Sequence, residues 1–556
     1  MQQRRKRTLW LVVGLMLVSL VVSACGESGK TGTGGNTTTD NNTQTAKEEP
    51  KGPRKGGTLT VGRIEDTETL DPHRTTAVSS NQITAMTMDT LVVLDYDMTV
   101  KPGLAEKWEI SDEGKTYTFF LKKGVKFHSG KAMTAADVKY TLDRWKNLKG
   151  SPSAFTIKPI SSVEVKDDYT VVVRLSEPFG LLLTNLTASY ASILNSEFTE
   201  KQGDNYGTTP QTTDGTGPFK VVEWVRNDRL VLERNPDYTW GPAINQNQGP
   251  AHVEKIVWKV IPEGATRMAE LETGGLHFTA DIPAVDVDRL KATPSVKMVQ
   301  YADFNTVFMG MRTNKKPLDD IRVRRAIQHA INKKEIVDGG FYGLAQVAKT
   351  PAAPGIPGHP ANADQITYGY DPQKAGQLLD EAGWKMGSNG IREKDGKPLT
   401  LELWYSKGSN IDVVIPMVQA QLKKVGIDLK LKQLEWSAYL AALRAGEHQL
   451  MWMSIRYTTT DGVLYFYFHS KQRPAPNRFE YVNPTVDDLL DKARITSDAK
   501  AQAEMWAKVQ EEAMRDAFWT PIVHEDRIVG HAPALEGLKI HPSNVLYKGL
   551  DLWLKN

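Results

Sequence analysis

The stretch Ala24-Cys-Gly-Glu-Ser-Gly-Lys-Thr31 has nearly the spacing of a phosphate-binding loop, with Ala in place of the first Gly. That chemistry needs a strand before the loop and a helix after it, so that backbone N–H groups converge on phosphate. Here an apolar leader precedes the motif and Gly-Thr-Gly-Gly-Asn follows, so nucleotide binding is set aside. Covalent catalysis finds no better support, since no Gly-x-Ser-x-Gly elbow occurs. The 11 His are scattered, without the His-x-x-x-His or Glu-x-x-His spacing that would hold a metal on a helix. His128 and His469, each beside aromatics, are expected to be packed or surface histidines rather than ligands. Arg322-Val-Arg324-Arg325 follows Asp319-Asp320 and reads as a solvated or ion-paired helix face, not a nucleic-acid contact. No residue therefore offers itself as a catalyst, and no cofactor is expected.

Composition narrows the field further. The 556 residues carry 69 Lys+Arg against 66 Asp+Glu, 40% hydrophobic residues and a single Cys. A net charge of +3 is too near neutral for a protein that works by neutralising phosphates. A lone Cys excludes a disulfide framework, and 13 Trp, 18 Tyr and 15 Phe exclude a disordered chain. Residues 1–24 read as a secretory leader: Arg4-Arg-Lys-Arg7, an apolar run from Leu9 to Val22, then Ser23-Ala24. The run is shorter than the ~20 residues of a membrane-spanning helix. Val22-Ser-Ala-Cys25 resembles the bacterial lipobox, which implies cleavage before Cys25 and lipidation of its sulfur. Residues 25–54 are rich in Gly, Ser, Thr and Asn and are expected to form a flexible tether.

The body is punctuated as a mixed α/β chain. Trp108-Glu-Ile110, a Ser-Asp-Glu-Gly turn, and Tyr117, Phe119 and Leu121 on alternate positions predict a β-hairpin. Thr134-Ala-Ala-Asp137 predicts a capping box, with Val138, Leu142 and Trp145 on one helical face behind it. Tyr169, Val171, Val173 and Leu175 alternate as a strand, and Val323, Ala326, Ile327, Ala330 and Ile331 form a helical stripe. Asp371-Pro372 opens another helix, closed by Gly383. Residues 399–455 read strand–helix–strand–helix–strand, which implies parallel pairing with right-handed crossovers.

Blocks spread along the body resemble the family 5 solute-binding proteins of ABC transporters. They include Pro102-Gly-Leu-Ala-Glu-Lys-Trp108, Gly124-Val-Lys-Phe-His-Ser-Gly130, Gly215-Thr-Gly-Pro-Phe219 and Leu232-Glu-Arg-Asn-Pro-Asp-Tyr238. Asp320-Ile-Arg-Val-Arg-Arg-Ala326, Glu381-Ala-Gly-Trp384 and Tyr481-Val-Asn-Pro-Thr-Val-Asp487 continue the series in the family's order. The resemblance implies an α/β, two-lobed periplasmic-binding-protein-like fold of class II, the large cluster with an extra subdomain. Lobe I would comprise 55–88, 204–310 and 527–556, with an inserted subdomain at 89–203, and lobe II would comprise 311–526. It further implies a lipid-anchored, monomeric receptor outside the cytoplasm, with permease subunits as partners and a peptide as ligand. An oligosaccharide or another small solute, such as a metal chelate, is the alternative ligand. A secreted hydrolase, or a surface sensor or chaperone, is the alternative class.

By the same resemblance Trp436 is a cleft-wall aromatic, with a core Trp on an amphipathic helix as the alternative. Val78 and Asn81 match a cleft-lining loop, or an ordinary connection, and Ser406 faces ligand or simply ends a strand. Peptide-binding members carry Trp-x-x-Asp, whose Asp pairs with the ligand's α-ammonium. Anchoring Asp461-Gly462 on the Asp-Pro that follows in those members places Ser454 at the Trp and Tyr457 at the Asp. That departure disfavours a free-amine peptide. Tyr457 would then stack on a sugar or hydrogen-bond a neutral solute, or else be a buried strand-end aromatic. A shifted alignment gives the ammonium to Asp461, which otherwise is a turn residue.

Overall fold

A computed structural model describes residues 52–408, 410–543 and 545–555; the leader, Cys25 and the tether as far as residue 51 lie outside the described residues. Early elements are β1 (Thr58–Arg63) and α1 (Val78–Thr87). The predicted hairpin forms as antiparallel β2 (Ala105–Ser111) and β3 (Thr116–Leu121). Its turn takes Asp112, Glu113 and Gly114 through positive φ, where the Gly is unstrained. Thr134 caps α2 (Ala135–Asn147) as the capping box requires, its N–H donating to the Asp137 carboxylate at 3.0 Å. Val138, Leu142 and Trp145 are buried beneath it. With β4 (Ile160–Asp167) and β5 (Thr170–Leu175), the hairpin completes a separate four-stranded sheet in the order β2-β3-β5-β4.

The chain then returns to the main sheet through β6 (Phe219–Val225), β7 (Arg229–Arg234), β8 (Lys255–Val260), β9 (Phe278–Thr279) and the long β10 (Lys297–Met311). There follow α3 (Ile321–Ala330), α4 (Lys333–Gly340), β11 (Ala345–Val347) and α5 (Pro372–Glu381). The strand–helix alternation predicted for 399–455 is β12 (Thr400–Ser406), α6 (Ile411–Lys424), β13 (Asp428–Leu434), α7 (Trp436–Ala445) and β14 (Leu450–Arg456). Both β13 and β14 pair with β12 in parallel. Helices α8 (Thr460–Phe468), α9 (Pro484–Ile495) and α10 (Ala499–Asp516) lead into the long β15 (Trp519–His531).

The main sheet runs β13-β12-β14-β10-β15-β9-β1-β8-β7-β6, with β11 also on β15. The fold is thus α/β and two-lobed, with the antiparallel pair β10–β15 shared between the lobes. Lys297–Ala302 pairs with Asp526–His531, beside β9; from Asn305 onward β10 pairs with β14 as well. The ladder shifts register between these stretches at Asp303 and Phe304, and Phe304 takes φ 48°. This break precedes residues 310 and 311, where the family resemblance implies the division between lobes.

One detail differs from the sequence reading. Arg322 pairs with Asp320 on the surface, as an ion-paired face requires. Arg324 lies instead on the buried stripe with Ile327 and Gln328, and donates to the carbonyls of Leu318 and Asp516. A guanidinium can be buried when its fork finds backbone acceptors.

Candidate functional site

Three crossover connections start at one edge of the second lobe. Ser406 is the last residue of β12, Trp436 the first of α7 after β13, and Tyr457 follows β14. In open α/β sheets ligands bind outside the carboxyl ends of the parallel strands. Two cavities lie at that edge. The first, of about 290 Å³, takes Thr458, Thr459, Asp461, Phe466 and Arg494 from the second lobe. It takes Leu94, Phe155, Phe179 and Tyr190 from the inserted segment, and Asn81 and Ser543 from α1 and the C-terminal stretch. The second, of about 360 Å³, joins Ser406 and Trp436 to Arg456, Glu525 and Arg527 beside the register break. A larger depression of about 810 Å³ sits by Thr400 and Gln449, at the opposite end of these strands, and contains none of the predicted residues.

The six predicted residues are therefore divided. Asn81 and Asp461 share the first cavity, Ser406 and Trp436 the second. Asn81 Nδ2 also donates to the Thr76 carbonyl at 3.2 Å. Val78, the exposed first residue of α1, stands one helical turn from Asn81 and lines neither cavity. Trp436 is half exposed, unlike a core Trp. Tyr457 lines neither cavity and is buried; its hydroxyl accepts from the Ala353 N–H at 2.6 Å and meets Thr306 Oγ1 at 3.0 Å. Its polar end is thus engaged inside the protein, in the position of the buried strand-end aromatic. His128 and His469 are both packed: His128 Nε2 meets the Gly217 carbonyl at 3.0 Å, and His469 Nε2 meets Asp491 at 3.1 Å.

Electrostatics distinguish the first cavity. Asp461 is 3% exposed, yet neither of its oxygens accepts a hydrogen bond from any described residue. Its one partner is Arg494, with Nε 3.3 Å from Oδ1. Burial pushes the carboxyl up to about 6, and the guanidinium draws it back only in part. Arg494 lies over the Tyr465 ring, 3.8 Å from its centroid. The cavity is closed on one side where the inserted segment meets α9: the Gly180 N–H donates to the Arg494 carbonyl at 2.7 Å. A Cβ at Gly180 would lie 1.8 Å from the Thr496 carbonyl oxygen, so this contact requires glycine.

At the second cavity the residue that breaks the β10 ladder is also a charge junction. Asp303 meets Arg456 at 2.5 Å and Arg527 at 3.1 Å, one from β14 and one from β15. Burial raises the carboxyls of both Asp303 and Glu525. Sequence reasoning missed Arg494, Gly180 and this junction. Arg494 reads as an ordinary basic residue at a helix C-terminus. Asp303 carried a signal, since it interrupts an apolar strand.

Among the described residues no group of three or more His, Cys, Asp and Glu is placed to hold a metal ion, and no helix is long and apolar enough to cross a membrane. Residues 99–475 match the family described as bacterial extracellular solute-binding proteins, family 5. The chain is 29% identical to the oligopeptide-binding protein AppA of Bacillus subtilis over 564 aligned positions, 99% of each chain. It is 30% identical to the dipeptide-binding protein of Escherichia coli, covering 74% of this chain and 78% of that one. The solved structure of HbpA2 from Haemophilus parasuis superposes with a TM-score of 0.80 at 25% identity, covering 90% of this chain and all of the other.

Proposed function

The chain belongs to the bacterial extracellular solute-binding proteins of family 5, and on that premise we propose that it captures a peptide between its lobes and delivers it, unaltered, to an ABC importer. It is a binding protein and not an enzyme. One observation carries the reading: the first cavity is lined from the first lobe, the inserted segment and the second lobe together. A solute there touches all three at once, so its contacts favour the closed arrangement over an open one. The register break at Asp303 and Phe304 in β10 is the hinge in this reading, because it is where the shared strands leave one lobe for the other.

The names of the relatives favour a peptide ligand. So does Asp461, a buried carboxylate whose oxygens have no hydrogen-bond donor within the described residues and suit a ligand ammonium. Ser406 and Trp436 would meet the ligand from the second cavity, Trp436 supplying apolar area. Lobe I would take 55–88, 204–310 and 527–556, the subdomain 89–203 and lobe II 311–526. Cys25, lipidated after cleavage, would anchor a monomer outside the cytoplasm.

Native mass spectrometry of the purified protein, paired with melting curves over peptides and sugars, tests this. A co-purified peptide, and a stabilisation of about 2.7 kcal/mol at a hundred times Kd, are expected. A panel that leaves the melting curve unmoved, with some substrate turned over instead, overturns it.

A further inference from the structure

Gly180 follows β5 in the inserted segment and is flanked by Phe179 and Leu181, which both line the first cavity. Its N–H donates to the carbonyl of Arg494, one residue before the end of α9, at 2.7 Å. Among the described residues this is the one hydrogen bond between 89–203 and 311–526. The last carbonyls of a helix have no partner within it. Here two outside donors complete that end: Gly180 on Arg494, and Gln502 Nε2 of α10 on Ala493 at 2.8 Å.

The backbone of Gly180 does not enter the left-handed region, so the turn itself does not call for glycine. The approach of α9 does. A Cβ would lie 1.8 Å from the Thr496 carbonyl oxygen and 2.6 Å from its carbon. Both sides of the contact are tied down. The Phe179 carbonyl accepts from the Leu182 N–H at 3.2 Å and from the Tyr117 hydroxyl of β3 at 3.3 Å, while Gln502 also reaches the Thr496 carbonyl at 3.4 Å. Gly215 comes as close to the Thr87 carbonyl, at 2.0 Å, and Gly537 to that of Asp551, at 1.9 Å. Both of those join segments assigned above to lobe I. Of the three, only Gly180 joins the inserted segment to lobe II.

We propose that Gly180 is the latch of closure: the inserted segment seats on the end of α9 because position 180 has no side chain, and that contact brings Phe179, Leu181 and Arg494 into one cavity wall. This rests on reading the body as two lobes that close over a solute. An open form leaves the Arg494 carbonyl to water, so the hydrogen bond itself contributes little. The missing side chain matters more. A methyl group at position 180 holds the segment off α9 and makes the closed form rarer. For a solute that binds only that form, a closed population about tenfold smaller gives an apparent Kd about tenfold larger.

The full-length protein, stripped of bound solute, is compared with and without a tryptic digest of casein as a mixed peptide probe, by melting curves and by amide exchange resolved at position 180. The digest is expected to slow exchange of the Gly180 amide at least about tenfold. Gly180→Ala is expected to leave the melting temperature of the stripped protein unchanged and to remove most of the shift that the digest produces in the unsubstituted protein. An amide equally protected in stripped and loaded protein overturns the proposal, as does a Gly180→Ala protein that responds to the digest in full. A Gly180→Ala protein that does not fold assigns the contact to the fold and also overturns it. If the digest raises the melting temperature without slowing exchange at position 180, the latch falls and the receptor reading stands. If neither the digest nor a broad panel of other solutes moves either readout, both fall.

Discussion

Two buried carboxylate–guanidinium pairs in this protein are built in opposite ways. Asp71, in the first lobe, is fully buried and receives Arg144 through two hydrogen bonds of 3.0 and 2.6 Å, the His73 N–H at 3.0 Å and Arg74 at 3.3 Å. Asp461 is almost as deeply buried and receives one approach of 3.3 Å without hydrogen-bond geometry. The Asp71 pair repays its desolvation inside the fold; the Asp461 pair does not. A polar group held in that costly state is better explained by what enters the cavity than by what it does for folding. Replacing each acid measures the difference. Asp71→Ala strands Arg144 and is expected to lower unfolding stability by about 3–5 kcal/mol, read by urea titration. Asp461→Asn is expected to leave stability at pH 7 unchanged or raised, because Arg494 keeps some solvent and the Tyr465 ring, while Kd for an amine-bearing solute rises at least about tenfold. Equal stability losses at the two sites would erase the contrast.

The same contrast explains what was legible in the sequence. Signals within a few residues were readable because their physics is local: the capping box at Thr134, the hairpin through Gly114, and the parallel unit from Thr400 to Arg456 all form as their spacing predicts. The family resemblance brought Asn81 and Asp461 forward together, and they share a cavity. Arg494 has no such signal, for its partner lies on another helix and its own neighbours describe only a helix end. Tyr457 was ambiguous for a related reason. An aromatic at a strand end has the same local pattern whether it faces ligand or core, and only Thr306 and Ala353, far off in sequence, decide.

Acidity sharpens the comparison, since the two kinds of buried group respond with opposite sign. Burial lowers His448 and His524 to about 3, and His128 and His541 to about 4. A histidine lowered in the folded state binds protons more readily when unfolded. Its contribution is therefore complete above about pH 6.5 and declines below it, by about 1.4 kcal/mol per pH unit for each group until its folded value is reached. Asp461, raised to about 6, runs the other way: the penalty of burying its charge is full above that value and relaxes as pH falls toward the ordinary carboxylate range. Melting curves between pH 7 and pH 4 should show net destabilisation on acidification, driven by the histidines. Asp461→Asn should acidify into a steeper loss than the unsubstituted protein, and affinity for an amine-bearing solute should fall below about pH 6. Parallel stability profiles for the two proteins would mean that the Asp461 carboxyl is not perturbed by burial.

The smallest effect falls on the residue that stands between the two regions. Tyr457 directly follows β14, four residues before Asp461, and its hydroxyl serves the Ala353 N–H and Thr306. Tyr457→Phe keeps the ring packed and leaves that N–H without its acceptor, so a loss of about 1–2 kcal/mol is expected, with Kd unchanged. A fall in affinity at constant stability would assign the hydroxyl to the ligand and move the boundary of the site inward past β14. Unchanged affinity places the boundary after Tyr457. Within one short connection, the residue with its hydrogen bonds satisfied then belongs to the fold, and the residue with none belongs to the solute.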